Sequence, residues 1–139
     1  ILIDQTAAWL DSIFSGGNID VKSLEANIVT LGMNSDNSKQ FYNPVNIGFG
    51  YSYVLPIIVS GLIAKKGDIL IVENPEAHLH PRAQARIAHF LSQICSQDIQ
   101  IVVETHSEHI LNGIRLSVYD EILSHEDINI LYFKKKLAY

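Results

Sequence analysis

Ile69-Leu-Ile-Val-Glu-Asn-Pro-Glu-Ala-His-Leu-His-Pro81 is the stretch whose reading decides the fold. Four apolar residues run without alternation into a dense group of carboxylates and histidines. Ile101-Val-Val-Glu-Thr-His-Ser107 repeats the same grammar further along the chain. A short apolar run of this kind suits a strand covered on both faces, as strands in parallel sheets are. Open α/β sheets bind their ligands at the carboxyl ends of the strands, which is where both acids stand.

The rest of the chain is compatible with that reading. At 139 residues it has the length of one ordinary domain and can bury a core. A content of 47% hydrophobic and 18% charged residues is that of a globular protein and not of a disordered segment. A mean hydropathy of +0.15 is slightly apolar for so small a piece, as expected if some surface meets another segment. The net charge of −5 argues against a wholly basic nucleic-acid-binding domain. The one basic run, Lys134-Lys-Lys136, reads as a solvated strand end. Cys95 stands alone, without a disulfide partner, and fits a small core residue in a reducing cytosol. The longest apolar stretch, Val54 to Ala64, is broken by Pro56, Ser60 and Gly61 and is too short to cross a bilayer. With no charged leader and cleavage site, the expected location is cytoplasmic. The chain begins at Ile1 without Met, so a fragment or processed chain is expected.

The periodicity predicts a helix over Ile1 to Phe14, ended by Ser15-Gly-Gly-Asn18. Ile19 to Met33 suits one or two strands, and Asn34-Ser-Asp-Asn-Ser-Lys39 reads as a polar, flexible loop. After the Gly48-Phe-Gly50 loop, Ser52 to Ala64 reads as a helix with Pro56 in its first turn, where a missing donor costs little. Ile69 to Val72 is a strand, and Pro81 opens a helix at its preferred first position. Ala83, Ile87, Phe90, Leu91 and Ile94 form the buried stripe of that helix. Ile99 to Val103 is the next strand, and Thr105-His-Ser-Glu108 matches a capping box for a helix carrying Ile110, Leu111 and Ile114. Ile128 to Phe133 reads as a third strand, so the alternation implies parallel strands joined by right-handed crossovers.

Several of these residues can carry chemistry. Glu73 closes a rigid strand, where a hard oxygen ligand suits Mg²⁺. Gly48 and Gly50 precede a helix N-terminus, which offers free N–H groups to an anion. His106 follows a strand and stands where it can contact a terminal phosphate or an attacking water. Taken singly, each has an ordinary explanation: a helix-capping acid, a tight turn, a solvated histidine. His78 and His80 lie two residues apart near Glu76, but no third ligand follows at zinc spacing.

Their order is more telling than any one of them. Glycine loop and helix, strand ending in acid-x-Pro-Glu, Leu-His-Pro, then strand-Glu-Thr-His-Ser resembles the carboxyl-terminal half of an ABC-type ATPase head. Within that group it looks like the SMC, RecF and OLD-like branch, over roughly residues 44 to 117. The resemblance implies an α/β fold, a partial P-loop NTPase of three layers with at least three parallel strands. It divides the chain into a lead-in segment, 1–45, and an ATPase-like lobe, 46–139.

By the same resemblance Asn46 to Ser52 takes the place of the signature loop, which in the family closes over the γ-phosphate of ATP held by a partner subunit. Gly48 stands where many relatives have serine, so Gly50, Ser52 and the helix start are left to supply donors. Glu73 resembles the Walker B acid near Mg²⁺. Asn74 falls at the usual catalytic glutamate, and an amide cannot accept a proton as a carboxylate can, so Glu76 becomes the candidate substitute. His78-Leu-His80 resembles the D-loop, with His80 at its common aspartate. His106 falls at the switch histidine, flanked by Glu104 and Glu108. Gly-x-x-x-x-Gly-Lys-[Ser/Thr] is absent, so an upstream lobe carrying that Walker A loop is expected in a longer protein.

The implied activity is ATP hydrolysis with ATP and Mg²⁺ as cofactors, in a head-to-head homodimer. It would act in DNA-related or phage-defence processes, with DNA or an effector nuclease as partner and no membrane. Gly48, Gly50 and His80 would act in trans, and Glu73, Asn74, Glu76 and His106 in cis. Two alternatives stay open: a nucleotide-gated clamp or assembly module without turnover, and a metal-dependent hydrolase or nuclease built on Glu73, Glu76, His78, His80 and Glu104. A missing amino-terminal lobe should leave a sheet edge or an apolar face exposed and drive self-association.

Overall fold

The computed structural model describes residues 1–24, 28–35 and 40–134. The centre of the polar loop, 36–39, and the end of the basic run, 135–136, lie outside the described residues. Helix α1 (Leu2–Phe14) leads into the antiparallel strands β1 (Asn18–Leu24) and β2 (Ile28–Asn34). The short turn Pro44–Asn46 precedes α2 (Phe49–Ile63), and β3 (Ile69–Glu73), α3 (Pro81–Cys95), β4 (Gln100–Glu104) and α4 (Glu108–Tyr119) complete the order. A last turn, His125–Asp127, is capped by the Ser124 hydroxyl.

Local chemistry accounts for most boundaries. Ser15 ends α1 in the left-handed conformation at φ 56°, and its N–H bonds the Asp11 carbonyl. The ambiguous segment after it resolves into two strands paired from Asn18↔Asn34 to Leu24↔Ile28. Met33 and Tyr42 exchange two backbone bonds of 2.8 Å, which returns the chain to the hairpin. Pro81 occupies the first turn of α3, and Ala83, Ile87, Phe90, Leu91 and Ile94 are all buried, as the stripe predicts.

β3 and β4 are parallel neighbours, in register from Ile69↔Gln100 to Glu73↔Glu104, with α3 as the crossover between them. One core joins Leu10 and Ile13 of α1, Met33 of β2, Val54 and Ile58 of α2, Val72 of β3, Ile87 and Phe90 of α3, and Ile110 of α4. Trp9 meets Phe90 edge-on at 4.9 Å, tying α1 to α3.

Three expectations need correction. Helix α2 begins at Phe49, before Ser52, so Pro56 lies inside the helix and beyond its first turn. Its ring there removes the N–H that would bond the Ser52 carbonyl. Ile128 to Phe133 joins no ladder among the described residues, and Ile130, Leu131, Tyr132 and Phe133 are exposed. Apolar composition favours extension, but a strand exists only where its polar backbone finds a neighbour. Among the described residues the parallel sheet therefore has two strands, not three. Lastly, the strands are not covered on both faces among the described residues: Val72 is buried and Leu70, Ile101 and Val103 pack on the core, whereas Ile69, Ile71 and Val102 form the exposed apolar face expected beside a missing lobe.

Candidate functional site

The carboxyl ends of β3 and β4 carry Glu73 and Glu104 as in-register neighbours, both exposed. Alternation along each strand puts these acids on the uncovered face of the sheet. The Tyr53 hydroxyl of α2 donates to the Glu73 carbonyl at 2.6 Å and holds the strand end. The chain then turns at once. Asn74 at φ 46° and His78 at φ 60° are left-handed, a conformation that asparagine and histidine adopt more readily than most residues. Ala77 N–H bonds the Asn74 carbonyl at 2.9 Å, and Leu79 N–H bonds the Glu76 carbonyl at 3.1 Å. Asn74 N–H donates to the Glu104 carbonyl at 2.9 Å, so backbone pairing extends one step past the strands.

Glu76 is half-buried, and both its carboxylate oxygens are engaged. The Thr105 hydroxyl donates to Oε2 at 2.6 Å, and the His106 N–H donates to Oε1 at 2.8 Å. Partial burial pushes its pKa up, but these bonds to the charged form outweigh that and hold it below the usual glutamate value. The His106 side chain is itself exposed; its Nε2 lies 3.2 Å from Glu104 Oε1, an ion pair when the imidazole is protonated. Ser107 caps α4, its hydroxyl accepting from His109 N–H at 3.0 Å and Ile110 N–H at 3.4 Å. The expected Thr105 cap is thus displaced by two positions, to Ser107, because the Thr105 hydroxyl is committed to Glu76 and Ser107 stands next to the helix.

A second locus lies between the end of α1, the start of α2 and the start of α3. There an open groove of about 630 Å³ is lined by Phe14, Gly48, Phe49, Gly50, His78, His80 and Arg82, among others. Gly48 caps α2 at φ 119°, where an L side chain is strained. Gly50 serves close approach: a Cβ there would stand 3.0 Å from the His78 carbonyl and 3.2 Å from Leu79 Cδ2. His80 is the N-cap of α3 and accepts from Arg82 N–H at Nδ1. The His78 ring lies 5.4 Å from that of Phe49.

The expected site residues therefore fall into two groups. Glu73, Asn74, Glu76, Glu104 and His106 gather at the sheet end, and Gly48, Gly50, His78 and His80 gather at the groove. Asn46 ends the turn before α2 and Ser52 donates to the Pro44 carbonyl at 3.0 Å; neither lines the groove. Glu108 begins α4. Among the described residues no three His, Cys, Asp or Glu side chains converge to hold a metal, so the five residues of the hydrolase reading form no such centre. Sequence reasoning missed Tyr53 and Gln84. No short-range pattern marks either, since each reaches a partner on another element.

Comparison with known proteins gives the family and the fold. The family model described as "AAA domain, putative AbiEii toxin, Type IV TA system" matches residues 7–112. No curated protein matches the chain. An Smc head bound to the C-winged-helix domain of ScpA superposes with a TM-score of 0.67 at 10% identity, over 81% of this chain and 36% of that one. A structure from work on ATP-driven dimerization and DNA-stimulated activation of SMC ATPases gives 0.64 at 14% identity, over 81% and 71%. An Smc head with an extended coiled coil, bound to the C-terminal domain of ScpA from Pyrococcus furiosus, gives 0.65 at 11% identity, over 81% and 29%. At such identities the likeness is one of fold, and the chain spans about a third of the length of the first of these heads.

Proposed function

The chain belongs to the AAA-domain family whose model matches residues 7–112, with the fold of an SMC-type ATPase head, and from that premise we propose that it forms the acid-and-histidine part of an ATP-hydrolysing site. The observation that carries this reading is the meeting of Glu73, Glu104 and His106 at the adjacent carboxyl ends of two parallel strands. Ligands of open α/β sheets bind at such an edge.

The donor set fits Mg²⁺ as far as this chain supplies it. Magnesium keeps several waters and takes one or two carboxylates together with nucleotide phosphates. Glu73, exposed at the end of a rigid strand, is the residue to hold it. When bound, the ion neutralises charge that develops on the phosphates. The chain's own part is to place His106 beside Glu104, so that a protonated imidazole can face a terminal phosphate. The phosphate-wrapping glycine and lysine loop is not in this sequence, so ATP would be shared with an upstream lobe.

In this reading residues 46–139 are the working lobe, 1–45 lead into it, and Gly48, Gly50 and His80 face the nucleotide of a second copy in a head-to-head dimer. Asn46, at the end of the preceding turn, and Ser52, bonded to the Pro44 carbonyl, belong to the same loop and helix start. The ATP-driven dimerization of SMC ATPases supports this arrangement. The role would be DNA-related or in phage defence, in the cytoplasm; the family description names a putative toxin of a type IV toxin–antitoxin system. No helix among the described residues is long and apolar enough to cross a membrane. The bare sheet face of Ile69, Ile71 and Val102 suits an upstream lobe as its cover.

One observation favours the clamp without turnover as a second reading. Asn74 is an amide, and Glu76 spends both oxygens on Thr105 and His106, which leaves neither as a ready proton acceptor. Turnover by the full-length protein separates the two. Hydrolysis that falls about 100-fold in both Glu73→Gln and His106→Ala supports the ATPase; turnover unchanged in both overturns the site. ATP-dependent dimerization with no turnover in the wild type selects the clamp.

A further inference from the structure

We infer that Glu76 is a positioning residue that staples the turn after β3 to the loop after β4, so that the groove histidines and His106 move as one body. The inference deepens the proposed function and rests on its reading of His106 as the phosphate-facing group.

Three ties join segments 23 to 30 residues apart. Glu76 accepts from the Thr105 hydroxyl at 2.6 Å and the His106 N–H at 2.8 Å. Gln84, in the first turn of α3, accepts from the Ser107 hydroxyl through Oε1 and donates to the Leu79 carbonyl at 2.8 Å through Nε2. The Asn74 N–H reaches the Glu104 carbonyl at 2.9 Å. Thr105 also accepts from Ser107 N–H at 3.1 Å, and Ser107 caps α4, so the loop is bonded on both sides.

The His106 imidazole, by contrast, is 84% exposed and reaches only Glu104 among these groups. Its placement comes through its backbone, and the Glu76 carboxylate is what holds that backbone. The opposite end of the same turn carries His78 and His80 on the groove wall, where a Cβ on Gly50 would stand only 3.0 Å from the His78 carbonyl. A body pressing on the groove wall therefore pushes on the turn, and the turn is tied to the His106 backbone. The sheet-end acids and the groove would be coupled without any side chain being shared between them.

A charged carboxylate is needed at this position because it alone presents two acceptors to two donors. A glutamine offers one acceptor and turns an NH₂ toward the other donor. The titratable neighbours around Glu76 are His106, Glu108 and His109, which line the same recess.

NMR on the full chain tests this directly, by following the His106 amide proton. In the wild type its chemical shift should follow an acid titration with a midpoint below the usual glutamate range, and that titration should vanish in Glu76→Gln. Amide exchange at His106 should rise about tenfold in Glu76→Gln, the loss of one hydrogen bond, while Val103 in β4 stays protected. Thr105→Val, which keeps the Oε1 bond, should raise it less. A His106 shift that ignores acid, or unchanged exchange in Glu76→Gln, overturns the staple. Unfolding of Glu76→Gln leaves the Thr105→Val and wild-type titrations to decide. If the full-length protein binds no ATP yet these shifts behave as described, the proposed function falls and the staple stands. If Glu76→Gln abolishes turnover with His106 exchange unchanged, Glu76 is a base and the staple falls.

Discussion

The two faces of the β3–β4 sheet are built from one apolar run and meet opposite fates. Val72 is 5% exposed against the helices, while Ile71, its neighbour in sequence, is 67% exposed. Strand geometry sends successive side chains to opposite faces, so this difference is set by what lies on each side of the sheet. An unalternating run is the pattern of a strand covered on both faces, and the described residues cover one of them. The polar site stands on the uncovered side, where Glu73 and Glu104 continue the rows of Ile69, Ile71 and Val102.

The sharpest way to break the comparison is to place a charge on each face in turn. Val72→Asp buries an unpaired carboxylate and should cost at least about 3 kcal/mol, enough to unfold a marginal domain. Ile71→Asp in the same 139-residue chain should stay within about 0.5 kcal/mol of wild type. Urea unfolding followed by circular dichroism measures both, and equal losses would mean that the second face is covered too. A somewhat smaller effect is expected at the layer over the packed face. Ile87→Ala should cost about 2–5 kcal/mol, since Ile87 is fully buried and its loss leaves a cavity.

The bare face can be probed by association. A dilution series by light scattering should show concentration-dependent self-association of the chain, weakened at least about tenfold by Ile69→Ser with Ile71→Ser. A clean monomer at high concentration counts against an apolar contact there. The smallest effect is electrostatic. Because the pKa of Glu76 is lowered in the fold, its contribution to stability is complete above the usual glutamate value. It is lost as pH falls through the depressed folded value. Melting scans should therefore show Glu76→Gln closest to wild type at the acid end and furthest from it near neutral pH.

Much of this was legible beforehand, and the residues show why. The α3 stripe from Ala83 to Ile94, Pro81 at its start, and both strands ending in acids follow from backbone period and side-chain polarity. The order of glycine loop, acid turn and histidine loop pointed to the ATPase head, and the family match and SMC-head fold agree with it. Ile128 to Phe133 misled because β composition names a preference and not a partner. The α2 start was misplaced because Gly48 at φ 119°, and not a side-chain oxygen, caps the helix. The capping box at Thr105 was misread because a hydroxyl serves whichever partner the fold brings closest.

The sequence by itself determined most of the elements, the buried stripe of α3 and the presence of two acids and a histidine at strand ends. These are properties of period and residue type, written within a few neighbouring positions. Only the tertiary structure decided that Glu76 holds the His106 loop, that Gly50 lies close against the His78 carbonyl, and which sheet face stays bare among the described residues. Each of those depends on atoms brought together from distant parts of the chain, and hydrogen bonds and close contacts act only at the distances folding creates.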